Sequence, residues 1–91
     1  MNFDEVVFLD SFPKLDLHGY DRESARVEIE DFLKEQQKLK MEYVVIVHGI
    51  GTGVLRQMTQ EVLRKNKLVI DFKTYYYNQG CTIVKLKIDK T

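Results

Sequence analysis

The chain has one cysteine, one proline and no tryptophan. A single cysteine, Cys81, excludes an internal disulfide and fits a reducing compartment, so the expected location is cytoplasmic. No apolar run approaches the roughly 20 residues that a membrane-spanning helix needs. The start, Met1-Asn2-Phe3-Asp4-Glu5, lacks a basic n-region, which argues against a secretory signal. An excess of either charge is also missing, because 14 basic side chains balance 14 acidic ones. That balance argues against a strong generic polyanion binder. Ninety-one residues leave room for one small core. The expected organisation is one domain over 15–91 behind an extended lead-in over 1–14, and it fits a free-standing protein or a part of a longer one equally.

The neutral total hides an uneven distribution. Residues 1–35 hold 10 acidic and 4 basic side chains, and residues 36–91 hold 4 and 10. A basic surface can therefore sit inside a neutral protein. The bland reading is a set of solvated helix faces.

The chain has only two histidines, and both stand in the same context: an apolar run, then His-Gly, then a helix start. The first is Leu15-Asp16-Leu17-His18-Gly19. The second is Val44-Val45-Ile46-Val47-His48-Gly49, followed by Ile50-Gly51-Thr52-Gly53. A strand that ends in His-Gly puts an imidazole at the carboxyl edge of a sheet, where open α/β folds keep their sites.

Hydrophobic periodicity supplies the frame. Leu15–His18 reads as a short strand. Asp21 can cap a helix whose inward face is Ala25, Ile29, Phe32, Leu33 and Gln36. Tyr43–Val47 is a β-branched run without polar alternation, as in a central strand buried on both sides. A second helix, starting near Thr52–Val54 and running to about Lys65, turns Leu55, Met58, Thr59, Val62 and Leu63 inward. Leu68–Tyr77 and Cys81–Ile88 read as strands joined by an Asn78-Gln79-Gly80 turn. The predicted fold is a two-layer α/β sandwich, β-α-β-α-β-β. Two helices cover one face of a four-stranded mixed sheet, and the other face is left open. Period-two alternation places Asp16, His18, Lys73, Tyr75, Lys85 and Lys87 on that open face. A one-residue bulge would invert part of this assignment.

Gly49, Gly51 and Gly53, with Thr52, precede a helix. Glycines let backbone N–H groups turn toward an anion, and the helix terminus adds partial positive charge. A plain structural turn accounts for such a loop about as often. Arg56, one turn into the helix, is placed to reach a phosphate, or is simply a solvated helix position. A carboxylate beside an imidazole orients it for acid–base work, so Asp16, His18 and His48 are the candidate catalytic residues. The same Asp16–His18 pair admits a divalent metal if other ligands join it. Tyr75 and its neighbours can stack on a base, although sheet packing is the commoner use. Cys81 reads as strand packing.

Three segments in order resemble the Smr (small MutS-related) domain: Leu15–Gly19, then His48-Gly49-Ile50-Gly51-Thr52-Gly53-Val54-Leu55-Arg56, then Gly80-Cys81-Thr82-Ile83-Val84-Lys85-Leu86. The resemblance runs from about Leu15 to Leu86. It implies a two-layer sandwich similar to the carboxyl-terminal domain of bacterial translation initiation factor three. It also implies endonuclease activity on RNA or DNA, sometimes at ribosomes, with the LDxH-type motif at Asp16 and His18. The HGxGxG-type loop falls on His48, Gly49, Gly51 and Gly53, with the helix arginine at Arg56. The family often has more glycine where this chain has Asn78-Gln79-Gly80. The rival expectations are a non-catalytic nucleic-acid or ribosome binding module, and a small-molecule phosphate enzyme or structural dimer.

Overall fold

The computed structural model describes residues 11–75 and 80–88. The lead-in up to Asp10, Tyr76 and Tyr77, the Asn78-Gln79 turn and the tail from Asp89 lie outside them. The element order is β1 (Lys14–Asp16), α1 (Arg22–Lys38), β2 (Tyr43–Val47), α2 (Val54–Lys65), β3 (Val69–Thr74) and β4 (Cys81–Leu86). The sheet has four strands in the order β1-β2-β4-β3. β1 pairs parallel with β2, while β4 is antiparallel to both β2 and β3. The first three strands therefore share a direction, and the last slots back between the second and third.

Each helix forms where the sequence supplies a start, a face and a stop. Asp21 caps α1 by accepting from the Ser24 N–H at 2.8 Å. That charge-assisted bond, donated by the backbone, holds the Asp21 carboxyl below its ordinary range. Ala25, Ile29, Leu33 and Gln36 are buried along one stripe. The helix ends where Lys40 takes a left-handed backbone, φ 59°. In α2, Met58, Thr59 and Leu63 face inward. The Thr59 hydroxyl is satisfied by the Leu55 carbonyl at 2.7 Å. Both helices pack on the same sheet face, against Val44, Ile46, Val84 and Leu86. β2 and β4, the central strands, are the most buried.

Three expectations are corrected in the sheet. First, the register of β3 on β4 slips between Val69 and Asp71. Val69 and Phe72 turn toward the helices and Ile70 is left 57% exposed, whereas simple alternation assigned Ile70 inward and Val69 outward. The bulge trades one β-branched side chain for another, so the core keeps most of the roughly 1.5–3 kcal/mol such a residue contributes when buried.

Second, the face away from the helices is not open at its centre. Tyr43 and Ile83 are buried there with Phe12 and Tyr75 packed against them. The Phe12 and Tyr43 rings meet edge-on, centroids 6.0 Å apart. Val45, which pairs with Ile83 on the same side, is fully buried. The basic residues of this face form a rim around an apolar patch.

Third, β1 ends at Asp16, short of His18. The reason is local. The Asp16 carboxylate accepts the His18 backbone N–H at 2.9 Å and turns the chain out of the sheet.

No helix among the described residues is long and apolar enough to cross a membrane.

Candidate functional site

Because β1 and β2 are parallel neighbours, both leave the sheet at the same edge. The last bond between them runs from the Leu17 N–H to the Val47 carbonyl, 2.9 Å. His18 and His48 follow directly, so the two His-Gly loops lie side by side.

The loop after β1 is closed by its own residues. Asp16 holds the His18 N–H. The Tyr20 N–H reaches the Leu17 carbonyl at 3.0 Å. Gly19 takes φ +84°, which a residue with a Cβ resists. The Asp16 carboxylate thus holds the backbone of His18, where the sequence had suggested a carboxylate–imidazole pair. The His18 ring is exposed, with no hydrogen-bond partner among the described residues.

The loop after β2 is fastened to β4. The N–H groups of His48 and Gly49 both donate to the Gly80 carbonyl, each at 2.9 Å. The His48 ring is 6% exposed. Its Nδ1 lies 2.9 Å from the Gly49 carbonyl and its Nε2 lies 2.8 Å from the Thr82 hydroxyl. Burial pushes the His48 pKa below its usual value, the Gly49 carbonyl pulls it partly back, and the Arg56 charge lowers it further.

The glycines alternate along this loop, with φ of +77° at Gly49, +30° at Gly51 and +83° at Gly53. Not all of their amides face a ligand. The Gly49 N–H is taken by Gly80 and the Gly53 N–H by the Ile50 carbonyl at 3.1 Å. The expectation that these two amides bind phosphate is corrected accordingly. Those of Ile50, Gly51 and Thr52 make no hydrogen bond among the described residues. Past them, α2 begins at an N-cap, Gly53, that has no side-chain cap and no acidic residue in its first turn. Only the long Thr52 hydroxyl contact at 3.4 Å reaches the Val54 N–H. This is the unsatisfied end of a helix that attracts anions.

Arg56 completes the cluster. Its Nη2 lies 3.7 Å from where a Cβ on Gly53 would stand, so the guanidinium folds back over the loop. It is half-buried and has no ion pair or hydrogen bond among the described residues.

The candidate nucleic-acid set on the sheet is divided between its two ends: the Tyr75 N–H donates to the Cys81 carbonyl at 3.1 Å, level with Val47 and so at the edge that carries His48. Lys85 pairs across from Tyr43, at the end of β2 remote from His48. Its ammonium sits 3.9 Å from Glu42 and 5.9 Å from the Tyr43 ring centre. Tyr75 is half-buried on the Tyr43–Ile83 patch, while Lys73 and Lys87 are exposed. Among the described residues, no three His, Cys, Asp or Glu side chains converge as a metal site.

Gly80 and Thr82 had been assigned no role in the sequence beyond a turn and a strand. The signal is their place in the third segment that resembles the Smr domain, but what that segment fastens is visible only in the fold.

The fold and the convergence of the three segments define a class: a small α/β sandwich with a glycine loop and two histidines at the carboxyl edge of its parallel strand pair. The Smr domain model matches residues 15–87, and the chain belongs to that family. Among curated proteins it is 40% identical over 77 residues to "Endonuclease MutS2" of Clostridioides difficile (strain 630) and of Streptococcus suis (strain 05ZYH33). Each match covers 81% of this chain, which spans about 10% of those relatives' length. Among solved structures it is similar to the Smr domain of Thermus thermophilus MutS2, with TM-score 0.80 and 33% identity, covering 82% of this chain and 98% of that one. Its fold also matches YdaL, a stand-alone small MutS-related protein from Escherichia coli, with TM-score 0.77 and 20% identity over 81% of this chain and 63% of that one.

Proposed function

We propose that this chain is a nucleic-acid-binding domain that cleaves phosphodiester bonds in RNA or DNA, working in the cytoplasm. The observation that carries the reading is Arg56. The half-buried Arg56 has no ion pair or hydrogen bond among the described residues, and its guanidinium lies over Gly53, near the Ile50, Gly51 and Thr52 amides, which are likewise unbonded among the described residues, and the uncapped start of α2. A phosphate satisfies all of these groups at once. The "Endonuclease MutS2" relatives point to the same class of substrate.

The proton-transfer role falls to His18, which is exposed and follows the strand that runs beside β2. On RNA, its imidazole takes the 2′-hydroxyl proton as that oxygen attacks phosphorus and the 5′-oxygen leaves, protonated by water. On DNA, the attacking group is a water that gives its proton to the same imidazole as its oxygen bonds to phosphorus, and one ester P–O bond breaks with the leaving oxygen protonated by solvent. The rim lysines, Lys73, Lys85 and Lys87, extend the contact along the backbone and make it salt-dependent. Structured RNA and supercoiled DNA, each with and without chelator, test the reading. Cleavage by wild type and none by a His18→Ala/His48→Ala double variant supports it. Equal behaviour of the two proteins on every substrate ends it.

A second reading is a binding module for nucleic acid or a ribosome that leaves cutting to a partner. The observation that favours it is the scarcity of free chemistry: Asp16 is engaged by the backbone and His48 is buried. It predicts salt-dependent binding that survives His18→Ala, with no product from either protein.

A further inference from the structure

We infer that His48 is a clasp held in the Nδ1–H tautomer, and that Thr82 is the positioning residue that locks it to β4. The hydrogen bonds fix the proton on Nδ1, and burial selects the neutral ring. A carbonyl only accepts, so Nδ1, 2.9 Å from the Gly49 oxygen, carries the ring proton. In the neutral ring Nε2 is then an acceptor, and the Thr82 hydroxyl at 2.8 Å donates to it. Burial against Thr82 favours that neutral ring.

The position of Thr82 supports the role. Its side chain is fully buried, on the same strand face as Val84 and Leu86. A hydroxyl in that layer is costly unless it is bonded, and a valine would fill the same space. The bond to His48 is what the hydroxyl contributes. Together with the Gly80 carbonyl, which takes two loop N–H groups, it ties both ends of the His48-Gly49 step to β4. The loop amides from Ile50 to Thr52 extend from a fixed base.

A functional consequence follows if the nuclease reading holds. Both ring nitrogens of His48 are occupied within the protein, so the site offers one accessible imidazole, His18, and not an acid–base pair. This consequence rests on that reading, whereas the clasp does not.

Long-range proton–nitrogen correlation spectra of the whole chain at neutral pH test the clasp without any substrate. The expected pattern is a protonated Nδ1 and a bare Nε2 at His48. Thr82→Val shifts the Nε2 resonance and moves the backbone signals of Ile50, Gly51 and Thr52. Thr82→Ser restores both. Cleavage, where present, falls about tenfold in Thr82→Val, the worth of one buried hydrogen bond, and recovers in Thr82→Ser. A protonated Nε2 in wild type overturns the inference, and so does a Thr82→Val spectrum unchanged at the ring and the loop. If Thr82→Val does not fold, the wild-type tautomer still decides. An inactive wild type with the expected tautomer removes the nuclease reading and leaves the clasp standing.

Discussion

The loop after β1 is held by itself, and the loop after β2 is held by another strand. In the first, Asp16 grips a backbone N–H two residues on, and the His18 ring is exposed with no hydrogen-bond partner among the described residues. In the second, Gly80 grips the backbone of His48, and Thr82 grips its ring across 34 residues of sequence. The difference separates chemistry from scaffolding. A side chain free to meet a ligand contributes little to folding, and a side chain bonded on both nitrogens is removed only at a cost to the structure. The two histidines should therefore respond differently to the same substitution.

The largest contrast is in rate. His18→Ala is expected to lower cleavage about 10²–10⁴-fold while leaving the unfolding midpoint within error, measured by product formation and thermal melting on the same sample. His48→Ala is expected to do the reverse in emphasis. It removes a buried ring and strands the Thr82 hydroxyl, so denaturant unfolding should show a loss of about 3 kcal/mol. If His48→Ala melts like wild type, the two loops are not different in kind.

A smaller effect sits at Arg56. Arg56→Ala should weaken nucleic-acid binding and reduce the slope of log affinity against log salt by about 1, the signature of one lost phosphate contact. An unchanged slope would detach the arginine from the phosphate.

The pH dependence of stability is smaller again. The folded pKa of His48 is lowered while the unfolded ring titrates near 6.5, so below that value the unfolded state binds more protons. The stability contributed by the neutral ring is complete above about 6.5 and is lost as pH falls toward the folded pKa. His48→Gln should flatten that part of the profile. The smallest effect is expected on the sheet rim. Lys85 is already shared between Glu42 and the Tyr43 ring, so Lys85→Ala should shift binding less than Lys87→Ala.

The frame of the molecule was legible in the sequence because it rests on local rules. Asp21 is the cap it promised to be, Tyr43–Val47 is the central strand, and the inward stripe of α1 is Ala25, Ile29, Leu33 and Gln36. What escaped depends on contacts between distant segments. Alternation cannot see the slip at Val69–Asp71, since a bulge is set by the neighbouring strand. Nor can it see Phe12 folding onto Tyr43 and closing the centre of the supposedly open face. At the site, repeated His-Gly contexts made two imidazoles look equivalent. Only the placement of β4 beside β2 shows that one of them meets Thr82. The glycine spacing likewise announced an anion loop, yet which amides are free depends on Gly80, more than 25 residues away.

The separation of the two histidines can be measured on the native protein by modifying it with diethylpyrocarbonate and mapping the adducts by mass spectrometry as cleavage is followed. The expected result is rapid modification of His18 with activity lost in step, and protection of His48 until the protein is unfolded. Equal reactivity of the two rings in the folded state, or activity that tracks modification of His48, would contradict it.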